Sequence, residues 1–445
     1  MESGDAIDRL CTKLQVSPIF FSEEHPTPFR ESALETFKQL RSGLPDLIPI
    51  NEGQERQEKI GKIIASCAGY WKGDKWSSKE IVLVVNDILE RLRELLNYDS
   101  INSLFGFYLA QILQHHIRPY FTQSHPAMEK KRNRYVEKNK MDLYEKQPWK
   151  TDRVETVSIM ETCVLAAKQF DVESAFFLLI PPLLTLIDDY DIQYKILGVR
   201  MFSHVLSNVS ASKLTASGLD GVFYEALLSC LSYRNDPSFD ILIQHTFSAL
   251  FRLVILTNPP DTERYFLQMD QLFAMTLDGL RMSGDKPAYR AIYLEQIPLL
   301  IEKLGMVSIK YLKVVLEILL DTAQVPFVGA DSMKRQVLRL HEICVKALDT
   351  AIKMGWPRIP VYRGLVLRIV AESWSRIEEF EHENAQDALS IQYQDGMGNL
   401  KKNFCDIVSL LHAVCGETIK ADLTALRELD QNMFSPLVSS VLAPE

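Results

Sequence analysis

Apolar residues recur along almost the whole chain at the spacing of one face of an α-helix. Ile81, Val84, Val85, Ile88, Leu92, Leu95 and Leu96 follow the i, i+3, i+4, i+7 order, while Asp87, Glu90, Arg91 and Glu94 lie mostly off that stripe. Leu312, Val315, Leu316, Leu319 and Leu320 repeat the pattern, as do Val337, Leu340, His341, Cys344 and Leu348. No sustained apolar/polar alternation stands between turn signals, so the pattern predicts helices and no sheet.

The helices recur in a fixed order. Leu179-Ile180-Pro181-Pro182-Leu183-Leu184-Thr185-Leu186-Ile187 reads as an apolar helix end, Asp188-Asp189-Tyr190-Asp191 as an acidic turn, and Ile192 onward as the next helix. The order returns around Asp236, Asp285 and Asp331, so the turn aspartates, counted from Asp189, are spaced by 47, 49 and 46 residues. That period suits paired-helix repeats of HEAT or armadillo type, in which each pair buries its apolar stripe only by stacking on its neighbours. An aspartate in such a turn is expected to cap the following helix, and proline at a helix start costs no hydrogen bond. A non-repetitive helical bundle with evenly placed loops is the alternative.

The expected fold is therefore all-α, an α-solenoid of stacked helix pairs. Residues 1–125 read as an irregular helical region broken at Gly43-Leu44-Pro45, at Gly69–Ser78 and at Pro119. Residues 126–150 read as a basic linker or boundary segment, 151–435 as the HEAT-like repeat array and 436–445 as a C-terminal tail. Glu378–Glu383 and Gln392–Asn403 read as polar surface or loop segments.

Composition narrows the function classes. The chain has 445 residues, 47% of them hydrophobic, and 49 Lys+Arg stand against 58 Asp+Glu for a formal charge of -9. An acidic balance argues against nucleic acid as the main partner, because that affinity rests on neutralising phosphates. The seven cysteines are scattered without repeated spacing, which predicts buried free thiols rather than disulfides or zinc ligands. The longest apolar run, Ala175–Ile187, is 13 residues and carries two prolines, so no membrane span is expected; no secretory signal is legible either. The expected location is cytoplasm and nucleus.

Chemistry-bearing constellations are sparse. Asp188 and Asp189 are adjacent carboxylates with no nearby His or Cys to complete a metal or acid–base site. His204, His245 and His341 stand alone on apolar helices, and Gly396-Met397-Gly398 has no preceding strand to make it a nucleotide loop. No catalytic residue, metal or cofactor is expected. Lys130, Lys131 and Arg132, in a stretch interleaved with aromatics, are candidate contacts for RNA or an acidic segment, diluted by Glu129, Glu137, Asp142 and Glu145. Trp149, Trp356 and Trp374 are candidate interface anchors, since tryptophan is enriched there; burial inside the array is the alternative for each.

The stretch from Leu179 to Tyr190, followed by Lys195 and Gly198, resembles the family of the smaller Tel-two-interacting (Tti) proteins. Pro148-Trp149-Lys150, just ahead of the first regular helix, is similar to that family's entry to its helical array. The resemblance implies a non-enzymatic subunit of the TTT co-chaperone complex that binds the larger Tti solenoid and, through it, the Tel-two protein. That complex would serve phosphatidylinositol-3-kinase-related kinases of the mTOR, ATM and ATR class, together with the R2TP assembly and the 90-kDa heat-shock chaperone. On this reading Trp149, Pro181, Pro182, Asp188, Asp189, Tyr190, Trp356 and Trp374 are either contact surface or repeat architecture. A HEAT-repeat transport or trafficking adaptor, or an RNA-binding solenoid, are the alternatives that the residues themselves leave open.

Overall fold

In a computed structural model, residues 2–16, 27–47, 53–121, 147–232, 238–284, 286–383 and 388–442 are described, and all regular structure among them is helical. Lys130, Lys131, Arg132 and the turn residues Asp236 and Asp285 lie outside the described residues. The chain divides into two compact units, residues 1–257 and 258–445.

Unit 1 holds twelve described α-helices: α1 Glu2–Lys13, α2 Thr27–Leu47, α3 Gln54–Ala68, α4 Lys79–Leu95, α5 Ile101–Ile112, α6 Pro148–Thr151, α7 Glu155–Ala166, α8 Gln169–Ile187, α9 Ile192–Ser207, α10 Ala211–Ser217, α11 Leu219–Cys230 and α12 Phe239–Thr257. Contacts run between near neighbours. α3, α7, α9 and α12 touch in succession along one row, and α5, α8 and α11 along a second. This is the nearest-neighbour stacking of a helical repeat. The change expected at residue 125 does not separate two packing units, because α3 and α5 before it rest on α7 and α8 after it.

Each helix follows from its local sequence. α4 starts where the Ser78 hydroxyl accepts the Ile81 N–H at 3.2 Å, and it buries Ile81, Val84, Val85, Ile88, Leu89 and Leu92. Leu95, although on the apolar stripe, is exposed. α8 and α12 have the length and hydropathy of bilayer-crossing helices, since the described helix extends well beyond the 13-residue apolar run. Both pack against other helices of unit 1, with just over half of their most apolar stretch buried.

Unit 2 comprises α13 Glu263–Met282, α14 Pro287–Leu294, α15 Gln296–Leu304, α16 Leu312–Ala323, α17 Asp331–Gly355, α18 Ile359–Glu383, α19 Ala388–Cys415, α20 Thr418–Leu429 and α21 Gln431–Val438. α13, α15, α17 and α19 stack in one row, and α16, α18 and α21 in another. The polar segments 378–383 and 392–403 are helical, not loops. The seven cysteines are all free; burial raises the thiol of Cys344 to about 12 and that of Cys230 to about 11.

Candidate partner-binding surface

The residues that carry the family resemblance meet at one place in unit 1. The Lys150 ammonium, on the short helix α6, lies 2.7 Å from both carboxylate oxygens of Asp189, whose side chain is fully buried in the α8–α9 turn. Three rings surround the same ammonium, with centroids at 4.1 Å for Tyr190, 4.8 Å for Trp149 and 4.9 Å for Tyr194. A cation over aromatic faces gains from their quadrupoles, and more so when shielded from water. Trp149 is buried, stacked on Phe121 at 5.2 Å and 7°, and edge-on to Tyr194 at 4.8 Å. Burial and the nearby carboxylates of Asp191 and Asp189 raise the Tyr194 phenol to about 12, so it stays neutral.

An aspartate of the turn caps the following helix, as expected, but it is not Asp189. Asp189 does not cap α9: its Oδ1 accepts the Asp191 N–H at 2.8 Å while the carboxylate holds Lys150. The cap is Asp191, whose Oδ1 accepts the Gln193 N–H at 2.8 Å. Asp331 is likewise not at the cap position of its helix; it sits in the first turn of α17 and pairs with Arg335 at 2.9 Å. The other two motif residues close the helix pair. The Lys195 ammonium donates to the Ile187 carbonyl at 2.8 Å, ending α8 with a cation where its carbonyls point. A methyl group on Gly198 would stand 2.9 Å from both the Ile187 nitrogen and the Leu186 Cβ, so only glycine lets α9 approach α8 this closely.

Pro181 and Pro182 lie inside the last turns of α8. Their missing N–H groups withdraw the i+4 donors from the Phe177 and Leu178 carbonyls. Phe177 is exposed and Leu178 half-exposed, so water can serve those carbonyls. Thr185 returns a hydroxyl to the Pro181 carbonyl at 2.9 Å.

The exposed aromatics are the part that sequence reasoning missed. Phe170 is 83% exposed and Phe177, seven residues on and therefore on the same face of α8, is 63% exposed. Phe107 of α5 is also exposed and lies 5.4 Å from Tyr98. A methyl group on the neighbouring Gly106 would run into Asp171, so α5 packs closely on the start of α8 at that position. Tyr190, already a candidate from the sequence, is also exposed, at 63%, in the turn beyond the helix. Large apolar residues exposed together on one face mark interaction sites more often than residues exposed singly. The signal was present as Phe170 and Phe177 at heptad spacing, but α8 is so apolar overall that two outward phenylalanines do not stand out.

The remaining tryptophans separate. Trp374 is 2% exposed and its indole donates to the Met433 carbonyl at 2.9 Å, so it is an internal tie of unit 2 and not a surface anchor. Trp356, at the end of α17, is 60% exposed. Among the described residues no group of three or more His, Cys, Asp and Glu side chains is arranged to hold a metal. His341 is a packing residue, stacked on Phe327 at 5.1 Å with Nε2 3.1 Å from the Val325 carbonyl.

A family model described as the Tti2 family matches residues 63–330 of this sequence. The chain belongs to the Tti2 family. Over 187 residues it is 25% identical to TELO2-interacting protein 2 of Mus musculus, and equally to that of Rattus norvegicus. Those alignments take in 41% of this chain and 34% of each relative, about a third of the relatives' length. Among solved structures, Kap95p in its complex with RanGDP aligns with 93% of this chain and 48% of its own, at a TM-score of 0.44 and 11% identity. Kap121p bound to Pho4p aligns with 95% and 39%, at 0.39 and 13%. The Tti2 match encloses the whole Lys150–Asp189 cluster and the exposed face of α8.

Proposed function

We propose that this chain is a non-enzymatic scaffold subunit of the TTT co-chaperone complex, holding the larger Tti solenoid and, through it, the Tel-two protein. The reading rests on one observation above the others, the Tti2 family match across residues 63–330. The names of the rodent relatives, which describe interaction with TELO2, support the same partner. Maturation and stability of phosphatidylinositol-3-kinase-related kinases, with R2TP and the 90-kDa heat-shock chaperone, would follow from membership of that complex, in cytoplasm and nucleus.

Physically, the work is shape recognition. Stacked helices offer a long ridge, and a few exposed aromatic side chains on it supply most of the affinity when a partner excludes water from them. Phe170, Phe177 and Tyr190 on unit 1 are the anchors this reading assigns, with Trp356 on unit 2. The test is affinity purification of the tagged chain from its own cells, read by mass spectrometry. Recovery of two other large helical-repeat proteins near equal stoichiometry, lost when Phe170 and Phe177 are both changed to Asp, is the expected result. Recovery of transport cargo, coat proteins or RNA without them would overturn it.

A further inference from the structure

The Asp189 carboxylate is fully buried, and a lone carboxylate in such a place costs several kcal/mol unless a cation accompanies it. The cation comes from Lys150, on a helix of four residues, held by its neighbour Trp149 under Phe121 and Tyr194. The pocket that receives it has a separable construction. Asp189, Tyr190 and Tyr194 belong to the α8–α9 turn and the start of α9, which are fixed by the Asp191 cap, the Lys195 tie and the Gly198 contact. Lys150 enters from outside that turn, and Tyr190, the ring nearest its ammonium, is largely exposed to solvent. One buried carboxylate and two or three aromatic faces around a single nitrogen is the chemistry that selects an alkylammonium over a neutral side chain.

From this geometry we infer that Asp189, Tyr190 and Tyr194 form a lysine-ammonium binding site, filled in cis by Lys150 and open to exchange with a lysine of a partner chain. The Lys150 side chain swings out by rotation about its own stem while Trp149 stays buried, so exchange does not require the short helix to leave. Because one primary ammonium replaces another, the contacts made are alike, and the exchange is decided by the local concentration of the incoming lysine against the effective concentration of the tethered Lys150. Acetylated lysine cannot compete, since it carries no charge to offer the buried carboxylate. The ammonium selectivity stands independently of the scaffold reading; only the identity of the incoming chain rests on it.

Two measurements test the site without any partner. In the first, Lys150→Ala empties the pocket, and its melting temperature is followed with added Nα-acetyl-lysinamide. A rise of a few degrees is expected, absent with Nα-acetyl-norleucinamide or with the Nε-acetylated lysine, and absent in a Lys150→Ala, Asp189→Asn double variant. An equal rise with norleucinamide, or no rise in folded Lys150→Ala protein, would overturn the proposal. The second uses the wild-type chain, and so holds if the variant fails to fold. Native lysines are reductively methylated and read by mass spectrometry, with Nα-acetyl-Nε,Nε-dimethyl-lysinamide, which does not consume the reagent, as competitor. Lys150 should label several-fold more slowly than exposed lysines and speed up several-fold with the competitor. Labelling of Lys150 that the competitor leaves unmoved would reduce the pair to a closed structural ion pair. Failure here leaves the purification result untouched, and a failed purification leaves this selectivity standing.

Discussion

The hydroxyl of Tyr70 donates to the carbonyl of Leu14 at 2.7 Å, joining residues 56 positions apart inside unit 1. Two residues on, the Val16 N–H is accepted by Glu155 Oε2 at 3.2 Å. The end of the first helical segment is thus stitched to the turn after α3 and to the start of α7 by two buried hydrogen bonds. Removing one buried hydrogen bond and leaving its acceptor unsatisfied costs about 1–3 kcal/mol. Tyr70→Phe should therefore lower the unfolding free energy of unit 1 by about that amount. Denaturant unfolding followed by circular dichroism checks it, with an unchanged midpoint speaking against the stitch.

Gly198→Ala asks α9 to move away from α8 against backbone, not against a flexible side-chain tip. Overpacking of this kind typically costs about 1–3 kcal/mol. A clear fall in melting temperature is expected, with Gly364→Ala, whose methyl would meet nothing within 4 Å, as the control that does not fall.

Trp356 and Trp374 should respond in opposite ways. Trp374→Phe removes the hydrogen bond to the Met433 carbonyl and should destabilise by about 1–3 kcal/mol with little direct effect on partner affinity. Trp356→Ala, at an exposed position, should leave stability within about 1 kcal/mol and weaken capture of the partner complex. Melting curves and co-purification on the same two variants separate the cases.

Acid should weaken the fold through two histidines. Burial lowers His341 from 6.5 to about 4, and burial together with Arg153, His115 and Lys62 lowers His116 from 6.5 to about 4. Both are neutral in the folded chain and would take up a proton more readily when unfolded. Their contribution is complete above pH 6.5 and is lost as pH falls toward 4, by at most about 3 kcal/mol each. Stability measured from pH 7 to 4.5 should decline, and His341→Phe, which keeps a ring against Phe327, should flatten the decline.

Helices, their stripes and the near-regular period were legible because they are local properties of the chain. Ile81, Val84, Val85 and Ile88 must share a face whatever surrounds them. The role of Asp189 was not legible in the same way. Its partner Lys150 stands 39 residues earlier, and a turn aspartate reads as a cap until that distance is closed by folding. Trp356 follows Gly355 at a helix end and Trp374 lies within a helix, yet the sequence alone does not show that Met433, 59 residues on, covers Trp374. Phe170 and Phe177 were hidden for the opposite reason, because a helix apolar on nearly every side gives no hint of which face lacks a neighbour.

Rows of helices held only by their immediate neighbours, along the row and across to the other, have no keystone. A lost pair in the middle of unit 1 does not loosen one common core; it cuts a row into two shorter ones, each with a newly bared end. Damage is therefore graded by position: a fault near an end trims the row, whereas the same fault at the α8–α9 pair, where α5, α7, α11 and α12 all converge, severs it.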